Sequence, residues 1–149
     1  MIPVYIALAA LAGALLPFQA LINARIAAQL SGGPMMGVLV NFVVGTAAVS
    51  LALIVMRAPF PAMTQITSAP WWAWIGGLMG AFFVLTATLT VHKLGAAGLS
   101  AVIIAGQLIS ALALDHFGLF GSSNGLTASR VAGAAFLLVG VYLILRPTA

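Results

Sequence analysis

Five apolar runs, each close to the length that crosses a bilayer, follow one another along this chain. A helix rising about 1.5 Å per residue needs roughly 20 mostly apolar residues to span a hydrocarbon core about 30 Å thick. Runs of that kind occupy approximately residues 3–28, 35–56, 71–92, 99–119 and 127–145. The breaks between them are short and rich in helix-stopping residues, such as Pro34 after Gly32 and Gly33, and Pro59 and Pro61 after Arg57. An open sheet cannot satisfy its edges in lipid, and the alternation of a membrane barrel is absent. The expectation is an all-α integral membrane protein of five transmembrane helices, forming a single membrane domain over residues 1–149.

Charge narrows the function further. Only 4% of residues are charged, against about 25% in a soluble domain, so polar groups are too few to cover a surface in water and the surrounding solvent must be lipid. The basic residues Arg25, Arg57, Lys93, Arg130 and Arg146 are scattered singly. They mark helix ends at the headgroups and form no stripe for nucleic acid. Without cysteine there is no disulfide frame or thiolate metal site. Asp115 is the sole carboxylate, which excludes a paired-acid mechanism within one chain, and His92 and His116 are too few for a convincing metal site. The GSSNG segment at residues 121–125 lacks the following lysine of a phosphate loop. No enzymatic activity, metal or cofactor is expected.

The first run has no basic segment before it, and it reads as a membrane span rather than a cleaved signal peptide. Pro3 sits where a helix start tolerates proline, whereas Pro17 should kink the span and free the carbonyl near Gly13. Ala12, Leu16, Gln19 and Asn23 share one face by helical spacing. In the second run, Asn41 and Gly45 share a face. The polar stretch 57–70 is expected to hold an interfacial turn. Trp71, Trp72 and Trp74 open the third run as an aromatic belt. Gly76 and Gly80 form a G-x-x-x-G pair that permits close packing, and Gly133 and Gly140 share a face of the fifth run. The segment LGAAG, residues 94–98, is a tight connector into the fourth run. There, Gln107 and Ser110 lie on a face with Ser100, Ile103 and Leu114, and Asp115 lies on another, because eight residues turn a helix by about 80°.

Five spans place the termini on opposite sides of the membrane. Arg57 and Arg130 then fall on the N-terminal side, and Arg25, Lys93 and Arg146 on the other. The positive-inside rule scarcely distinguishes the two orientations. Two copies inserted in opposite senses would form an antiparallel pair; alternatively, the single-charge excess or a neighbouring protein fixes one orientation.

Four segments carry a resemblance over essentially the whole chain: Gln19 with INARIA in the first run; NFVVGT at residues 41–46; PWWAWIGGLMGAFFV at residues 70–84; and LGAAGLSAVIIAGQLISALALDHFGLFG at residues 94–121, followed by RVAGAAFLLVGVYLI. In this order the chain resembles the YdcZ-type five-helix members of the drug/metabolite transporter superfamily. The resemblance implies one half of an inverted-repeat transporter fold in a bacterial inner membrane. A second copy of the chain, or a related five-helix chain, would complete it.

Polar side chains inside a bilayer are costly and tend to face a bundle interior or a cavity. Gln19, Asn23, Asn41, Gln107 and Ser110 are therefore candidates for binding a small-molecule substrate, a small metabolite or a lipophilic cation. Their alternative role is helix-to-helix bonding. Both readings stand for Gln19 and Gln107, while packing is preferred for Asn41 beside Gly45. Asp115 is the candidate for proton coupling, but its place near a span end favours a headgroup-level residue paired with Arg130 or His116. The tryptophans are first an anchor in membrane lipid, and Trp72 or Phe83 is a candidate aromatic gate. Thr86, Thr88 and Thr90 can bond their own backbone carbonyls and need no substrate. Two other functions remain open at this point: a membrane scaffold or accessory subunit that transports nothing, and a lipid-handling half-transporter with a lateral apolar groove.

Overall fold

The computed structural model describes residues 2–118 and 125–146. Residue 119 of the fourth run, the GSSNG segment up to Asn124, and Pro147 after Arg146 lie outside the described residues. Among the described residues every regular element is helical: α1 (Ile2–Gln29), α2 (Gly33–Val55), the short α3 (Met63–Thr67), a 3₁₀ turn (Trp71–Trp74) leading into α4 (Ile75–Phe117), and α5 (Ala128–Leu145). Four helical stretches are long and apolar enough to cross a membrane. In three of them at most 6% of the most apolar window is buried. So much exposed apolar surface would aggregate in water and is stable only against lipid or a partner. The chain is an all-helical integral membrane protein.

The helix boundaries follow local chemistry. Pro34 enters α2 in its first turn, where a missing N–H is no loss. At the other end Arg57 takes a left-handed φ of 50°. Its N–H reaches Ile54 O at 3.0 Å, and the Ala58 N–H reaches Leu53 O at 3.0 Å, closing the last turn as a Schellman motif. The stretch between α2 and the tryptophans contains the single exposed turn α3, whose Gln65 Oε1 accepts from the Ala62 N–H at 2.9 Å. Thr127 caps α5, its Oγ1 accepting from the Arg130 N–H at 3.4 Å.

The stretch Trp71–Phe117 is 47 residues long. At about 1.5 Å per residue it would reach some 70 Å, more than twice a hydrocarbon core. It is broken at Gly95, whose φ of 69° and ψ of 166° are non-helical; a side chain at that φ would be strained. The two parts, 75–94 and 96–117, are each about one span long. The connector expected over residues 94–98 is thus reduced to one glycine, with helix on both sides.

The chain divides into two compact units. One comprises Phe18–Val91 and the other Met1–Pro17 with His92–Ala149. In the first unit, the buried positions are mostly small: Ala20, Ala24 and Ala27 on α1, Gly37 and Val38 on α2, and Ala87 on α4. α1 and α2 approach at backbone distance, because a Cβ added to Gly37 would lie 2.6 Å from the Asn23 carbonyl oxygen. In the second unit, Leu99, Ala101 and Ala105 are buried. Gly98 lies under Leu145, with 3.1 Å from its would-be Cβ to Leu145 Cδ2.

Candidate functional site

Gln19 and Asn41 meet within the unit Phe18–Val91. Each lies within about one turn of the middle of its helix. Gln19 Nε2 donates to Asn41 Oδ1 at 3.1 Å, and both side chains are half-buried. The bond joins two residues that the sequence offers separately, and it leaves each amide with further donor and acceptor capacity. Around it opens a cleft of about 430 Å³, lined also by Phe42, Gly45, Thr46 and Ser50. A Cβ added to Gly45 would meet nothing within 4 Å, so this glycine widens the cleft rather than seating a neighbour. The lining thus combines two amides, two hydroxyls, the Phe42 ring and the apolar Val49, with no ionisable group.

Asn23 lies one turn beyond Gln19 and is almost fully buried, at 2% exposure. Among the described residues its Nδ2 has no hydrogen-bond partner. Its side chain sits in the small-residue core where Gly37 meets its backbone. Thr88, equally buried, donates to Val84 O at 2.8 Å, and Thr90 donates to Thr86 O at 2.6 Å. Both hydroxyls are spent on their own helix. Trp72 is exposed in the 3₁₀ turn, and Phe83 is half-buried on α4. Gly76 faces open space, and the would-be Cβ of Gly80 comes only to 3.9 Å from the Phe42 ring.

In the other unit, Gln107 and Ser110 are exposed, and no hydrogen bond is made by either side chain among the described residues. Asp115, two residues before the end of α4, receives a bond from Arg130 Nη1 at 3.3 Å. The two side chains are 47% and 40% exposed, respectively. His116 packs edge-on against Phe117, with ring centroids 5.4 Å apart. Gly133 and Gly140 face open space on α5. Among the described glycines, the close approaches between helices are therefore at Gly37 and Gly98. The sequence signal for Gly37 is its spacing of four and eight from Asn41 and Gly45, one face of α2.

A known family matches this chain over residues 4–143, the one described as "Putative inner membrane exporter, YdcZ". The chain belongs to that family. Membership, together with the exposed apolar helices, makes it an integral protein of the inner membrane. A curated relative, the inner membrane protein YdcZ of Escherichia coli (strain K12), is 38% identical over 81 residues. That match covers 54% of either chain, so it spans about half the length of the curated relative. No solved structure matches the chain.

Proposed function

We propose that this protein is a transporter subunit rather than an enzyme, exporting a small metabolite or lipophilic cation by alternating access. Two copies inserted in opposite senses form an antiparallel, dual-topology homodimer, each copy supplying one half of an inverted repeat. The observation that carries the reading is the neutral amide pair Gln19–Asn41 on an open cleft near the middle of two spanning helices. Polar groups at that depth are costly unless they face one another or a cavity, and these do both. A substrate entering the cleft exchanges water for the free valences of the two amides and the hydroxyls of Thr46 and Ser50. The Phe42 ring in the same lining gives a cation an aromatic neighbour.

The dimer is supported by two further features. The basic residues divide two against three between the sides, as the five-span order places them. Gln107 and Ser110 are exposed near mid-span in a single copy, where a second copy or a water-filled path removes the cost of facing lipid. The test is efflux from liposomes holding the purified protein, over a panel of metabolites and lipophilic cations. Flux that Gln19→Leu abolishes is the expected result. Absence of flux throughout rejects the reading; flux indifferent to Gln19→Leu rejects the Gln19–Asn41 cleft as its substrate site. Reporters fused to the C-terminus, one active on each side of the membrane, should both report; a signal from only one rejects the self-made antiparallel pair.

A further inference from the structure

The unit that contains Asp115 holds a second groove, of about 620 Å³, between α4 and α5. Ile104, Leu108 and Ala111 form its wall on α4, at spacings that keep one helical face. Gly133 and Leu137 line it on α5. The wall ends at Asp115 on one helix and Arg130 on the other, so an apolar trough is closed at one end by one charge of each sign. From Ile104 to Asp115 the helix rises about 16 Å, close to half of a hydrocarbon core about 30 Å thick. The groove therefore has the depth of one leaflet, with its charged end at headgroup level.

We propose that this groove holds an acyl chain of a zwitterionic phospholipid, with the phosphate at Arg130 and the ammonium at Asp115. An anionic headgroup would set its charge against Asp115, and a cationic amphiphile would set its charge against Arg130. A headgroup with both charges complements both residues. The ion pair itself is loose enough to exchange, being 3.3 Å long and half exposed on each side. A second copy of the chain fits less well. Asp115 is the chain's sole acid, and in an antiparallel copy it lies at the opposite membrane face, so the partner brings no matching pair of charges to this end. Gly133 leaves the trough open, since a Cβ there would meet nothing within 4 Å.

The site is independent of transport and is read by lipid retention alone. Full-length protein is delipidated, exposed to an equimolar mixture of phosphatidylethanolamine and phosphatidylglycerol in detergent, and weighed by native mass spectrometry. Wild type should retain phosphatidylethanolamine in preference, by roughly fivefold, the scale set by one charge at a membrane surface. Asp115→Asn should reverse the preference towards phosphatidylglycerol, because Arg130 remains. Arg130→Gln should lose retention of both. Gly133→Leu fills the trough and should lose the bound lipid while the chain stays folded, and Ala111→Leu fills it from the other wall. Equal retention of both lipids across all variants means lipid surrounds the chain without a site and overturns the proposal. So does unchanged retention in both filling variants together with a reduced dimer fraction, which would assign the groove to a second copy.

Discussion

Two polar pairs that bridge helices among the described residues are built alike and placed differently. Gln19–Asn41 and Asp115–Arg130 each bridge two helices through a hydrogen bond at the edge of an open groove, 3.1 Å and 3.3 Å long. The first pair is neutral and lies near the middle of its helices. The second is charged and lies at helix ends, within two residues of the close of α4 and three of the start of α5. Charge at mid-bilayer is expensive, whereas at a helix end it reaches the headgroups. A chain with one acid thus has it where desolvation is small and has an amide pair near the middle of its helices. In the two sites proposed above, recognition at depth would rest on hydrogen bonds, and recognition at the surface on charge.

Packing separates the two regions as well, and the largest predicted effect tests it. Gly37 lies against α1 with no room for a methyl group, whereas Gly133 faces open space. Gly37→Ala should lower stability by about 1–3 kcal/mol, because the new Cβ meets backbone that cannot yield without moving a helix. Gly133→Ala should be neutral or should gain up to about 0.5–1 kcal/mol from helix propensity. Thermal unfolding of the two variants in detergent checks both. Equal losses would show that α5 packs as closely as α2, and the contrast would fail.

A smaller effect is expected at the neutral pair. Gln19→Leu or Asn41→Leu alone leaves the other amide without its partner; changing both removes the demand. Interhelical hydrogen bonds in membranes average about 0.6 kcal/mol, so a double-mutant cycle should give a coupling of that order, with the double variant regaining stability. Transport should nevertheless be absent in all three. A double variant that is stable and still transports would reduce the pair to a packing contact and place the substrate elsewhere.

The long apolar helices were legible in the sequence because the bilayer imposes a length and a hydropathy that few other constraints mimic. The break at Gly95 was half legible. The glycines of residues 94–98 announce a connector, but helical bonding on both sides reduces it to one residue. Gln19 and Asn41 were legible as polar residues in apolar runs, but their pairing was not. It depends on the relative rotation of two helices that bring together residues 22 apart in sequence, which no local pattern fixes. The G-x-x-x-G spacing pointed to Gly76 and Gly80; among the described glycines the closest approach to another helix's backbone is at Gly37, opposite the alanines of α1. A close approach needs small residues on both helices, and only the fold says which faces meet.

The charged pair should give the smallest stability change and an asymmetric effect on insertion. With both side chains about half exposed, Asp115→Asn and Arg130→Gln should each cost under about 1 kcal/mol, and less in high salt. Orientation responds to Lys and Arg and hardly to acids. Arg130→Gln leaves Arg57 alone on the N-terminal side against Arg25, Lys93 and Arg146, so it should move the ratio of the two C-terminal reporters towards one orientation. Asp115→Asn should leave that ratio where it was. Arg57→Gln should reproduce the shift from the same side, although it touches neither groove. If Arg130→Gln shifts the ratio and Arg57→Gln does not, the ion pair rather than the charge count sets orientation. The pair at the helix ends would then govern how the chain enters the membrane, a role the neutral pair at depth has no charge to play.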